Sequence, residues 1–148
     1  SRIDKLLLFS AAHMKETRHV TEMILATDIG RDGLISLEGR HSLAHVMGSN
    51  VHGVVTHQWE NNRNYLYYEV LYMGWPLIHN VPSLRDAGYY YESFNPQDGG
   101  RALQEALRGH PEIRVRQRDA IREALWSVNV NNPVNQDRYS ELLQQVMG

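Results

Sequence analysis

One carboxylate stands apart in this sequence. Glu69 is the only charged residue between Arg63 and Arg85, in a stretch otherwise dominated by Leu, Tyr, Val, Met, Trp and Pro. The helix expected around it is apolar on nearly every side, so the side chain is expected to be buried. A carboxylate there costs several kcal/mol unless it is paired or hydrogen-bonded. It therefore serves one of two ends. It is a structural group satisfied by a neighbouring tyrosine or backbone N–H, or it is an acceptor for ligand hydroxyls. Its two oxygens match the two adjacent hydroxyl donors of a ribose, so one glutamate can grip a nucleoside at the wall of a cleft.

The preceding loop is the second candidate. His57-Gln58-Trp59-Glu60-Asn61-Asn62-Arg63-Asn64 packs polar and aromatic groups between an apolar strand pattern and an apolar helix pattern. Free backbone N–H groups at the helix start, from Asn62 through Asn64 to Tyr65, make an anion site that suits a diphosphate. Capping by Asn61 or Asn62 is the structural alternative, and the two roles are compatible. Lys15 and Arg18, after the first strand, and Arg40, after the second, are candidate phosphate cations, although solvated surface cations are the more ordinary case. Eight histidines invite a metal reading, and His41 and His45 stand one helical turn apart. There is no His-Glu-x-x-His pattern and no ligand spacing among the nearby acids, so no metal is expected. A nucleophile elbow, a P-loop and a Gly-x-Gly-x-x-Gly dinucleotide fingerprint are all absent, which weakens a dehydrogenase reading.

The elements that must position these groups follow from periodicity. Leu6-Leu7-Leu8-Phe9, Leu34 to Leu37, Val51 to His57, Pro76 to His79 and Tyr89 to Tyr91 read as strands. Between them fall helices carrying Val20, Met23, Ile24 and Thr27 with a stop at Gly30, then Leu43, Val46 and Met47, then Asn62 to Met73 capped by Gly74. Three helical stripes end the chain. They run through Leu103, Ala106 and Leu107, through Ile113, Ala120, Ile121, Ala124 and Leu125, and through Tyr139, Leu142, Leu143, Val146 and Met147, with Pro133 parting the last two. Strands alternating with helices predict a Rossmann-like α/β domain with a mostly parallel sheet covered on both faces. In such sheets ligands bind outside the carboxyl ends of the strands, which selects the loops at residues 10–15, 38–41, 57–64 and 79–80.

The bulk numbers fit this. At 148 residues, 42% hydrophobic and 22% charged, the chain suits one soluble globular domain. A net charge of −2 gives no global pull toward nucleic acid or an anionic membrane, so any bound anion is held locally. The lack of cysteine excludes disulfides and thiolate metal sites and fits a cytoplasmic setting. No apolar run approaches the roughly 20 residues of a membrane span. The first residues lack a signal-peptide layout and lead at once into a strand, so the chain reads as a fragment or excised domain.

Residues 54 to 100 carry a family resemblance. Val54-Val55-Thr56-His57-Gln58-Trp59-Glu60-Asn61, then Asn64 to Glu69, then Gly74-Trp75-Pro76-Leu77-Ile78-His79-Asn80, and then Asp86 to Tyr91, resemble a largely uncharacterised microbial group related to GT-B glycosyltransferases. The resemblance implies the C-terminal, donor-binding half of that fold, with the N-terminal acceptor domain absent from this chain. In the wider pattern a glutamate on a helix precedes Gly-x-Pro and an apolar strand, which Glu69, Gly74, Pro76 and Ile78 match. The resemblance gives Glu69 the ribose of a UDP- or GDP-linked sugar. A second glutamate that contacts the donor sugar usually stands where this chain has Asn61, with Glu60 one residue before. Lys15 and Arg18 correspond by loop position to cations that hold the diphosphate.

The expected activity is glycosyl transfer from a nucleotide sugar without a bound metal, and the chain alone is expected to bind donor weakly and transfer nothing. The alternatives are a nucleotide-sugar epimerase or hydrolase of the same fold, and a non-catalytic interaction domain that has lost the chemistry.

Overall fold

The structure, a computed structural model, describes residues 3–49 and 51–147. It is an α/β protein in which every strand pairing is parallel. The sequence reads as one domain; the described residues gather into two compact units, Ser1–Val51 and His52–Gly148, and each is taken by itself.

In the first unit β1 (Leu6–Leu8) pairs in parallel with β2 (Ile35–Leu37). Between them lie a 3-10 turn at Ala12–Met14 and helices α1 (Arg18–Leu25) and α2 (Asp28–Arg31). The periodicity predicts one helix running to Gly30, but Thr27 divides it. Its hydroxyl accepts the Gly30 N–H as the cap of α2, the role for which a short hydroxyl side chain is suited. Gly30 is therefore no stop. It is buried inside α2, where a β-carbon would lie 1.9 Å from the Ile24 carbonyl oxygen. The turn into β2 is made at Gly33, whose φ of 71° suits a residue without a side chain. Helix α3 (Leu43–Met47) closes the unit, with Ser42 as its cap.

The second unit has β3 (Val54–Val55), β4 (Leu77–His79) and β5 (Tyr89–Tyr90) in that spatial order. All three residues of β4 are buried, so both its faces are covered; Leu77 and Ile78 are apolar, and His79 is buried with both ring nitrogens hydrogen-bonded. Helix α4 (Tyr65–Met73) joins β3 to β4, and a 3-10 turn at Pro82–Leu84 leads on toward β5. Helices α5 (Pro96–Arg116), α6 (Arg118–Ser127) and α7 (Pro133–Met147) follow. Ile113 lies on α5, not with the α6 stripe where its spacing put it; α5 bends at Gly109, whose φ and ψ of −161° and 43° are not helical, with Pro111 just beyond.

The core of this unit joins Ile78, Tyr89 and Tyr91 to Ala102 and Ala106, with Leu103 and Ile113 packed against them. Two small residues let α5 lie close to the sheet. Polar bridges fix the corner. The Tyr89 hydroxyl and the Gly74 carbonyl are held 2.9 and 3.0 Å from the two nitrogens of His110, and Gln117 makes paired hydrogen bonds to the Gly88 backbone. Burial, with help from Glu105 and Glu112, pushes the Tyr89 phenol up to about 12, so it stays a neutral donor.

Candidate functional site

In the second unit the chain leaves the carboxyl ends of three neighbouring parallel strands through the loops 56–64, 80–81 and 91–95. Asn80 ties two of these together. It is 3% exposed, and its Oδ1 accepts the Gln58 N–H at 2.9 Å, while its Nδ2 donates to the carbonyls of Gln58 and Ser93 at 3.0 and 2.9 Å. One buried amide thus stands in for a strand partner, satisfying backbone groups of two loops at once. Gln58 extends the network: its Nε2 donates to the Asn80 carbonyl at 3.3 Å and its Oε1 accepts the Asn61 N–H at 2.6 Å. The loop turns at Glu60, whose φ of 50° is uncommon for a residue with a side chain.

His57 begins the same loop. The Tyr91 hydroxyl donates to the Thr56 carbonyl at 2.7 Å and lies 2.9 Å from His57 Nδ1. A phenol has one proton to give, so His57 Nδ1–H is the donor of the second bond, and in the uncharged ring that leaves Nε2 as an acceptor. Burial, reinforced by Tyr67, holds the Tyr91 phenol above its usual range, which keeps that proton in place. Phe94 packs edge-on against the His57 ring at 4.7 Å between centroids, and Trp59 leans on Phe94 at 5.1 Å.

Glu69 differs from expectation in one respect that matters. It is exposed, not buried. Helix α4 buries Tyr67, Val70 and Leu71, a stripe at helical spacing, and Glu69 falls on the side away from them with the exposed Tyr65 and Tyr72. The aromatic composition concealed that sidedness, because tyrosines serve on either face. No hydrogen bond or ion pair to Glu69 occurs among the described residues, so its carboxylate is satisfied by solvent. The structural-carboxylate alternative for Glu69 loses its basis.

The other expected residues are distributed as follows. Asn64, and not Asn61 or Asn62, caps α4, with its Oδ1 accepting the Leu66 N–H at 3.0 Å. Tyr65 follows, 83% exposed, and its backbone N–H has no partner among the described residues. Asn62 is exposed and accepts a 3.4 Å hydrogen bond from Gln58 Nε2; Glu60 is exposed. His57, Glu60, Asn61, Asn62, Asn64, Tyr65 and Glu69 therefore all lie on the β3–α4 connection and α4 of one unit. Lys15, Arg18 and Arg40 belong to the other. There Arg18 pairs with Glu22 at 2.7 Å in full exposure, which adds little stability. Lys15 sits near Glu38, whose carboxyl is held below its usual range first by the Ser36 hydroxyl and then by the Lys15 and Lys5 charges. Arg40 is exposed in the loop after β2.

Tyr91 and Phe94 were not among the candidates, and Asn80 entered only as part of the selected loop at residues 79–80, with no role of its own. A polar amide at the end of a buried strand was a readable signal for Asn80. Nothing local marks Tyr91 or Phe94, which reach the site only through the pairing of β4 with β5. The His41 and His45 rings do stack, at 5.5 Å, but no group of three or more potential metal ligands gathers among the described residues. No helix among them is long and apolar enough to cross a membrane.

Parallel strands, helical crossovers and polar loops at the strand carboxyl ends define a Rossmann-like α/β protein. Within that class the chain belongs to the family described as "Protein of unknown function (DUF2827)", whose model matches residues 1–143. No curated protein and no solved structure matches it.

Proposed function

We propose that this chain is the donor-binding part of a glycosyltransferase that moves a sugar from a nucleotide sugar. One observation carries the reading. Glu69 presents an unpartnered carboxylate on α4, directly ahead of Gly74, Pro76 and the buried strand β4, in the spacing that the GT-B resemblance assigns to ribose recognition. A solvent-facing carboxylate is ready to exchange water for two ribose hydroxyls, a pair of charge-assisted hydrogen bonds. The start of the same helix supports the reading. Asn64 takes one first-turn N–H for its cap and leaves the Tyr65 N–H for a ligand oxygen such as a diphosphate's. Stabilising the departing diphosphate is the electrostatic part of the chemistry, and N–H groups and side-chain cations perform it without a metal. Asn61, at the position of the usual sugar-contacting glutamate, already lends its N–H to Gln58 and offers its amide, not a carboxylate, to the sugar.

The test is a thermal-shift panel of nucleotides and nucleotide sugars against the native chain and Glu69→Gln. Ligand that binds only the folded state raises the melting temperature by mass action. A shift with UDP or GDP that Glu69→Gln removes supports the proposal. No saturable shift with any nucleotide would favour a non-catalytic interaction domain, and hydrolysis of donor without acceptor would favour a hydrolase.

A further inference from the structure

The second unit holds a cavity of about 240 Å³ that the donor reading does not use. It is lined by Val55, Ile78 and Leu103 on its aliphatic side, by Pro96, Gly99 and Gly100 of α5, and by Tyr91, Phe94, Asn95 and His57 toward the loops. Its floor is buried, with Ile78 at 2% and Tyr91 at 5% exposure, and its mouth is open at His57 and at Phe94, 51% exposed. The wall is almost wholly apolar, and Asn95 turns its oxygen away to cap α5 at the Gln97 and Asp98 N–H groups. Two side-chain polar atoms of the lining residues have no partner among the described residues: Asn95 Nδ2, a donor, and His57 Nε2, left the one side-chain acceptor because Tyr91 and Thr56 fix the proton on Nδ1.

We infer that this cavity is a binding site for a small aromatic molecule carrying a hydroxyl, its ring between Phe94 and the aliphatic wall and its O–H donating to His57 Nε2. The size agrees. An apolar cavity of about 150 Å³ accepts benzene, and the larger volume here leaves room for the ring and its substituent. The polarity agrees as well. Apolar walls reward removal of a ring from water, while a single side-chain acceptor rewards one donor and leaves a second donor on the ligand unsatisfied. Phe94, which packs against His57 and carries Trp59 against its own ring, supplies an aromatic surface at the mouth, and aromatic pairs prefer offset or edge-on contact. A nucleotide is excluded from the floor by the same argument, because its phosphates and sugar hydroxyls find no partners there.

Phenol is the probe and toluene its control, each titrated into the full chain by NMR. Nitrogen spectra of His57 should show the Nδ1-protonated tautomer, with the Nε2 signal moving on addition of phenol and unmoved by toluene. His57→Phe should weaken phenol about three- to tenfold, the fold-change of one uncharged hydrogen bond, and leave toluene unchanged. Gly100 gives a second variant that does not endanger folding: a β-carbon there meets nothing within 4 Å. Gly100→Leu should fill the cavity and abolish binding of both probes with no fall in melting temperature. Glu69→Gln should alter neither probe, which separates this site from the nucleotide proposal. Phenol and toluene bound equally well by the native chain, an Nε2-protonated His57, or undiminished phenol binding by Gly100→Leu would each overturn the inference.

Discussion

Replacing Asn80 tests whether one buried amide holds the candidate site together. Asn80→Ala deletes three hydrogen bonds, from the Gln58 N–H and to the Gln58 and Ser93 carbonyls. At about 1 kcal/mol net for each, the loss is about 3 kcal/mol, and more if the exposed backbone groups stay dry. Asn80→Asp should be worse at neutral pH, since a carboxylate oxygen replaces Nδ2 and faces two carbonyl oxygens at 2.9 and 3.0 Å. Urea unfolding followed by tryptophan fluorescence measures this cleanly. Trp59, Trp75 and Trp126 all lie in His52–Gly148, so the signal reports that unit alone. Amide exchange at Gln58 should quicken in parallel. Were Asn80→Ala to unfold within about 0.5 kcal/mol of the native chain, as an ordinary surface change does, the loops would be held by something else and the account of their positioning would be wrong.

Two further outcomes follow from the same structure. Gly88→Ala should destabilise more than Gly74→Ala, although both have positive φ, of 88° and 77°. A β-carbon at Gly88 meets the Leu77 backbone oxygen at 2.8 Å, whereas at Gly74 it meets the end of the flexible Arg114 side chain at 2.4 Å. About 2–4 kcal/mol against about 1–2 kcal/mol is expected by urea unfolding, and the reverse order would refute the assignment of strain. His79 is fully buried, its Nε2–H donating to the Ala87 carbonyl and its Nδ1 accepting the Val81 N–H, and burial lowers its proton affinity below the ordinary 6.5 despite the Ala87 bond. The unfolded chain therefore takes up a proton that the folded chain refuses. The stability linked to His79 is complete above 6.5 and is lost as pH falls toward and through the depressed folded value. Unfolding midpoints measured across that window should fall with acid in the native chain and lose this part of the slope in His79→Gln.

The positions of the strands were legible because apolar runs such as Leu6 to Leu8 and Pro76 to Ile78 admit few other readings, although the strand read over Val51 to His57 is only Val54–Val55, and their parallel pairing followed from the helices between them. The loop at 57–64 was legible as a polar break between apolar segments, and helix α4 by its apolar run, although it begins at Tyr65 and not at Asn62. The sidedness of α4 was not, because Tyr65, Tyr67 and Tyr72 look alike in sequence while one is buried and two are exposed. That is why Glu69 was expected inside the protein and lies at its surface. The split of α1 from α2 was hidden in a single hydroxyl at Thr27; the bend at Gly109 falls where one helical stripe gave way to the next, between Leu107 and Ile113, but the junction at Gln117 that parts Ile113 from α6 was not legible. His57 was legible as a polar loop residue, but its fixed tautomer depends on Tyr91, a partner brought near only by β4 and β5.

The claim that Glu69 is a ribose acceptor is tested most directly by titrating UDP and GDP, each beside its 2′,3′-dideoxy analogue, into the native chain and into Glu69→Gln. The native chain should prefer at least one of the ribose-bearing nucleotides by about tenfold or more, as charge-assisted hydrogen bonds warrant, and Glu69→Gln should abolish most of that preference. Equal affinity for nucleotide and dideoxy analogue in the native chain, or a preference that survives in Glu69→Gln, would contradict it.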